Sequence, residues 1–268
     1  MEKLLVHKNS GLDLLVRVKN IVFGGEEKVV ISGPCSVEDY DNMHAIAKGL
    51  KKTGVHILRG GAFKPRTSPY DFQGFKEDGL KILKIVGNEF NMPIVTEVMD
   101  TKDIDLVLRY ADMLQIGSRN MYNYSLLKEV GKLKTPILLK RGMSATLSEW
   151  LNAAEYIMAS GNENVVLCER GIRTFETHTR NTLDLSSVAA IKDSYRIPII
   201  VDPSHGTGRR ELVARMSLSA IAAGADGLMI ESHINPDNAI SDARQTVSIE
   251  TVDNIIKNIK KFQIMFVN

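Results

Sequence analysis

Three cations fall within eight positions in "LRGGAFKPRTSP", Leu58 to Pro69: Arg59, Lys64 and Arg66. The chain as a whole has a formal net charge of only +2, from 34 Lys and Arg against 32 Asp and Glu, so this density is local. A guanidinium fork binds phosphate or carboxylate through two parallel hydrogen bonds, and an ammonium adds a compact charge. A solvated basic loop would carry the same residues. Gly60, Gly61, Pro65 and Pro69 point instead to a preorganised loop, which loses less entropy when an anion binds. Further polar residues close short apolar runs along the chain: Cys35, Glu97, Ser118 with Arg119, Lys140 with Arg141, Glu169 with Arg170, Asp202, His205 and Glu231. If those runs are strands opening on one mouth, their cations converge there. Such a mouth suits a phosphorylated or carboxylated small molecule, and the number of cations argues for more than one anionic group.

A second set has the side-chain types of metal ligands. Cys35 stands in "GPCSVE", His205 in "VDPSH", Glu231 in "ESHINP" and Asp242 in "AISDARQ". Singly, each has an ordinary reading as a small core thiol, a satisfied imidazole or a solvated carboxylate. No compact motif such as CxxC or HExxH is present, so spacing leaves a metal open. Only a fold that gathers distant segments can make one site of them.

The elements that would do so are legible. Eight β-branched or apolar runs recur: "VVISGPC" from Val29, "HILRGG" from His56, "PIVTEV" from Pro93, "MLQIGS" from Met113, "PILLKR" from Pro136, "VVLCERG" from Val165, "PIIVDPSH" from Pro198 and "GLMIES" from Gly227. Segments of helical spacing lie between them, such as Ile82, Leu83, Ile85 and Val86, or Leu151, Ala154, Tyr156, Ile157 and Met158. Eight βα units predict a (β/α)8 barrel over 29–268, with an open doubly wound sheet as the alternative. Residues 1–28 read as a short extension, a hairpin across the barrel's bottom. In such barrels chemistry sits where the strands end, and there the polar residues crowd.

Bulk properties bound the setting. A chain of 268 residues, 44% hydrophobic, buries a sizeable core. Near-balanced charge gives little support to general nucleic-acid binding, and no apolar run is long enough to span a membrane. Cys35 and Cys168 make no disulfide framework, and the first residues lack a secretory h-region, so the expectation is a cytoplasmic protein. Cys168 reads as structural, Met143 and Trp150 as packing, and His233 as a local hydrogen-bonding group.

"GPCSVE", "RGGAFKPRTSP", "QIGSRN", "LLKRGM", "CERGIRTFE", "VDPSHGTGRR" and "ESHINPDNAISDARQ" together resemble, in order, the signatures of 3-deoxy-D-arabino-heptulosonate 7-phosphate (DAHP) synthases of the compact type I beta branch. The resemblance runs from about Val29 to Gln245. It implies a (β/α)8 barrel, assembled as a homotetramer, that condenses phosphoenolpyruvate with erythrose 4-phosphate at the head of the shikimate pathway. It places one divalent ion (Mn, Fe, Co or Zn) on Cys35, His205, Glu231 and Asp242. Phosphoenolpyruvate falls to Arg59, Glu97, Ser118, Arg119, Lys140 and Arg170, and erythrose 4-phosphate to Lys64, Pro65, Arg66 and Thr67. Lys64, His205 and Glu97 take the proton transfers. The roughly two dozen residues before Val29 are too few for the regulatory domains fused in longer members, so an unfused catalytic core is expected. Two other readings stand beside it: 3-deoxy-D-manno-octulosonate 8-phosphate synthase acting on arabinose 5-phosphate, which Pro65 argues against, and a non-catalytic barrel that binds phosphorylated metabolites.

Overall fold

The computed structural model describes residues 4–64, 68, 70 and 72–266. Two short strands, β1 (Val16–Val18) and β2 (Ile21–Phe23), pair antiparallel as a hairpin. Parallel strands then alternate with helices: β3 (Val29–Gly33), α1 (Tyr40–Thr53), β4 (Ile57–Arg59), α2 (Lys76–Glu89), β5 (Ile94–Glu97), α3 (Ile104–Leu108), β6 (Met113–Ile116), α4 (Tyr124–Gly131), β7 (Ile137–Lys140), α5 (Leu147–Ala159), β8 (Val165–Glu169), α6 (Leu185–Ser194), β9 (Ile199–Val201), α7 (Pro203–Thr207), α8 (Arg210–Ala222), β10 (Gly227–His233), β11 (Val247–Ser248) and α9 (Ile249–Phe266). Strand β10 pairs with β3 on one side and β9 on the other, which closes β3 to β10 into a parallel barrel. The fold is a (β/α)8 barrel, as the eight runs predict.

Helix starts follow local chemistry. Asp39 accepts from Asn42 N at the start of α1, and Thr146 with Glu149 forms a reciprocal capping box on α5. Helix α1 stops at Gly54, whose left-handed backbone (φ 89°) suits a residue without Cβ.

Alternation along the strands divides the core in two. Ile31, Ile57, Val95, Met113, Leu138, Val166, Cys168, Ile200 and Met229 form one apolar cluster inside the barrel. Their neighbours Val30, Leu58, Ile94, Leu114, Leu139, Leu167, Val201 and Ile230 belong to the other, packed under the helices. Val16, Val18 and Phe23 of the hairpin join the inner cluster, each 1% exposed or less, and so plug the barrel.

Candidate active site

Two residues beyond the inner apolar positions, the same strands change character. Arg59 follows Ile57, Glu97 follows Val95, Gln115 follows Met113, Lys140 follows Leu138, Arg170 follows Cys168, Asp202 follows Ile200 and Glu231 follows Met229, each by a step of two that keeps the inward face. Arg59, Lys64, Glu97, Gln115, Gly117, Ser118, Arg119, Lys140, Met143, Arg170, Arg180, His205 and Asp242 line a cavity of about 170 Å³, six cations against two carboxylates.

At one side of the cavity the ligand-type residues meet. Cys35 Sγ, a Glu231 oxygen and an Asp242 oxygen lie within 4.8 Å of one another. The Cys35 thiol donates to Asp242 Oδ2 at 3.1 Å across 207 residues of sequence. His205 stands next to this group, its Nε2 3.4 Å from Glu231 Oε1. Burial, reinforced by the Glu231 carboxylate, pushes the Cys35 thiol up to about 12. Burial works against ionisation of Glu231 as well. There, however, His205, Arg59 and Lys64 outweigh it and hold the carboxyl well below its usual range. Arg59 Nη1 donates to Glu231 Oε1 at 2.7 Å and Gln245 Nε2 to Oε2 at 2.6 Å, so both oxygens are oriented. Lys64 Nζ donates to the Cys35 carbonyl at 3.0 Å and lies 2.9 Å from Sγ.

Asp202 connects this side to the cationic one. It caps α7, accepting from His205 N at 2.9 Å, while its Oδ2 takes both His205 Nδ1 at 2.6 Å and Lys140 Nζ at 2.5 Å. Burial disfavours its charge, but His205 and Lys140 overcome this and keep it ionised. Burial lowers the His205 imidazole despite the two carboxylates, favouring the neutral ring, with Nδ1–H given to Asp202 and Nε2 left as a donor atom.

Arg119 and Arg170 have no carboxylate within ion-pair distance among the described residues. Arg170 is 3% exposed, donates among the described residues to the Gly171 carbonyl alone at 3.3 Å, and is lowered by burial. A buried guanidinium without a counter-ion is costly unless an anion joins it. Glu97, held above the usual carboxylate range by burial, accepts from Gln115 Nε2 at 3.2 Å. Gly117 leaves room for it, since a Cβ there would collide with the Glu97 carboxylate.

Not every expected residue joins the site. Arg141 follows Leu139 on the outward face and spends its guanidinium on Glu169 and Asp184, both at 2.9 Å, so it does not converge on the mouth. Met143, expected as packing, lines the cavity. Trp150 is fully buried and donates to Leu139 O at 3.3 Å. Pro65, Arg66 and Thr67 lie outside the described residues. Gln115, Arg180 and Gln245 went unread in the sequence. Gln115 sits at the inward position two after Met113, a signal that the strand's alternation offers. Arg180, which donates to Gln245 Oε1 at 3.0 Å, comes from a loop with no such pattern.

Residues 7–265 match the model of the DAHP synthetase I family. The phospho-2-dehydro-3-deoxyheptonate aldolase of Thermotoga maritima is 46% identical over 93% of this chain and 74% of its own length. A crystal structure of that Thermotoga maritima enzyme, described as a DAHP synthase, superposes with a TM-score of 0.95 at 43% identity, covering 98% of this chain and 78% of that one. The 2-dehydro-3-deoxyphosphooctonate aldolase of Fusobacterium nucleatum is 29% identical over 90% of this chain and 93% of its own length. A parallel barrel with a cationic mouth beside a thiol and carboxylate cluster defines the class, a carbon–carbon bond-forming enzyme of phosphorylated metabolites. The chain belongs to the DAHP synthetase I family, and its activity is that of a DAHP synthase.

Proposed function

We propose that the cavity joins phosphoenolpyruvate to erythrose 4-phosphate and water, giving DAHP and phosphate, with one divalent ion on Cys35, His205, Glu231 and Asp242. The observation that carries this reading is the placing of Arg119 and Arg170, without counter-ions among the described residues, in one cavity with the Cys35, Glu231 and Asp242 cluster. The donor set fits a divalent ion. A thiol and two carboxylates crowded within 4.8 Å repel one another once ionised, and a cation relieves that repulsion. Mixed sulfur, nitrogen and oxygen donors suit Mn²⁺, Fe²⁺, Co²⁺ or Zn²⁺. Bound there, such an ion supplies Lewis acidity to the aldehyde oxygen.

The chain's own residues do the rest. Arg119, Lys140 and Arg170, with Ser118, hold the phosphate of phosphoenolpyruvate, and Arg59 reaches the same substrate while orienting Glu231. In the erythrose 4-phosphate loop of Lys64, Pro65, Arg66 and Thr67, Arg66 with Thr67 takes the aldose phosphate and Lys64 stands towards the reacting carbons. As C3 of phosphoenolpyruvate bonds to the sugar's C1, Lys64 gives a proton to the former aldehyde oxygen. Water adds at C2, and Glu97 accepts its proton; His205, with Nδ1 on Asp202 and Nε2 given to the ion, has no nitrogen free for the proton transfer that the resemblance implies for it. The C2–O bond to the bridging oxygen then breaks as the new C2 hydroxyl becomes the ketone, and phosphate leaves carrying the bridging oxygen and the hydroxyl proton. In this reading residues 1–28 are an extension of the catalytic barrel at 29–268, and the enzyme works as a cytoplasmic homotetramer, a compartment that suits two unpaired buried thiols.

Incubating metal-loaded protein with phosphoenolpyruvate and either erythrose 4-phosphate or arabinose 5-phosphate tests the substrates, with phosphate and product measured. Erythrose 4-phosphate should turn over and arabinose 5-phosphate slowly or not at all, which the 46% against 29% identities support. A preference for arabinose 5-phosphate overturns the assignment.

A further inference from the structure

Among the described residues, each contact that fastens the segment carrying Asp242 to the segment carrying Cys35 involves a side chain. No backbone–backbone hydrogen bond joins 35–38 to 240–242 among the described residues. Instead the two run antiparallel through successive contacts. Cys35 Sγ meets Asp242 Oδ2, Ser36 Oγ lies 2.7 Å from Ser241 Oγ with both hydroxyls buried, and Ile240 N donates to Glu38 Oε1 at 3.0 Å. The other Glu38 oxygen lies 3.5 Å from Nε2 of His233, a ring 2% exposed whose Nδ1 is 2.8 Å from Asn235 O and whose Nε2 has no hydrogen bond. Asp242 itself has φ 55°, a left-handed conformation uncommon outside glycine, though aspartate adopts it more readily than most residues. Around it, Ile234 and Ile240 are about half exposed, whereas Ser241, Gln245 and Thr246 are buried.

We infer that Ser36 and Glu38 are positioning residues for the divalent ion, latching the Asp242 segment onto the Cys35 segment so that thiol and carboxylate keep a ligating separation. The inference rests on the metal reading above. Glu38 acts at the backbone of Ile240, two residues before Asp242, and Ser36 at the residue between, so the latch sets the reach of the carboxylate without touching the ion. Residues 243–245 stay pinned by Arg210 and Glu231, so loss of either contact would release the 240–242 side alone and shift the Asp242 oxygens relative to Sγ.

Chelator-treated protein titrated with Co²⁺ tests this, read by the dissociation constant and by the thiolate-to-cobalt and d–d absorption bands. Removing a group that orients a metal ligand costs roughly 10- to 100-fold in affinity, and that loss is expected for Glu38→Ala. Its thiolate band should persist, since Cys35 still binds, while its d–d bands change. Glu38→Gln keeps an oxygen for Ile240 N and should stay within about threefold of wild type, because the bond restored is the one that matters. Ser36→Ala should lose roughly 3- to 10-fold. Wild-type affinity and spectrum in Glu38→Ala overturn the inference alone, as does a Glu38→Gln as weak as Glu38→Ala. A wild-type protein that takes up no Co²⁺ overturns the metal reading and this inference with it. Should Glu38→Ala fail to fold, Ser36→Ala carries the test, and wild-type affinity there overturns the inference.

Discussion

The two ends of the barrel are built from the same strands and differ in almost everything else. At the plugged end Val16, Val18 and Phe23 share one cluster with Ile31, Ile57, Val95 and Met229, a layer that is apolar but for the Cys168 thiol. One inward step further along stand Arg59, Glu97, Lys140, Arg170, Asp202 and Glu231. The difference teaches that depth in the barrel separates the apolar layer from the polar one, while strand face decides which of two adjacent cations faces the cavity. Lys140 points in and faces the cavity; its neighbour Arg141 points out and binds two carboxylates.

The two cysteines give the strongest way to break that comparison. Cys168 belongs to the inner apolar layer and is fully buried, whereas Cys35 meets Asp242 at the mouth. Cys35→Ala should lower turnover about 10⁴-fold, on the order of 5 kcal/mol, with the fold retained. Cys168→Ala should keep turnover within a few-fold and lose about 1 kcal/mol in urea denaturation. Equal losses of activity would show that the layers are not separate.

A second pair sharpens the role of strand face. Arg141→Ala leaves Glu169 buried without its cation and should cost about 3–5 kcal/mol of stability with little change in KM. Arg170→Ala should do the reverse, raising KM for phosphoenolpyruvate by about 2 kcal/mol in kcat/KM without lowering Tm, since no carboxylate is orphaned. Urea melts and initial rates on both variants decide between the faces, and a KM effect from Arg141 would contradict the assignment.

The smallest effect concerns pH. Burial holds the Glu97 carboxyl above its ordinary range, so the folded protein keeps a proton that the unfolded chain gives up. Its carboxylate therefore works against folding as pH rises above the ordinary carboxylate range. Glu97→Gln should gain Tm over wild type as pH goes from 4 to 7, and a gap that shrinks over that interval would show that Glu97 is not a buried acid.

The barrel was legible because each strand is a distinct β-branched run, and the mouth because polar residues end those runs. Strand face was not. "PILLKR" and "VVLCERG" both close on two polar residues, but the inward one is the first of the pair in Lys140 and the second in Arg170. Only the register of the folded strand shows which. Gln115 carries no charge to mark it, and its alternation with Met113 is the signal the strand offers. Arg180 and Gln245 come from loops, where no period survives and position follows from contacts that sequence order hides. The gathering of Cys35 with Asp242 across 207 residues is of the same kind.

The packed inner layer has a consequence for traffic. Ile31, Ile57, Val95, Met113, Leu138, Ile200 and Met229 fill the barrel beneath the mouth, so the cavity above them is a well with one opening rather than a channel. Lys140 and Arg170, 4% and 3% exposed, line it, while Arg119 stands exposed. If phosphoenolpyruvate takes those two buried cations as proposed, it is expected to bind before the aldose that enters by the same opening.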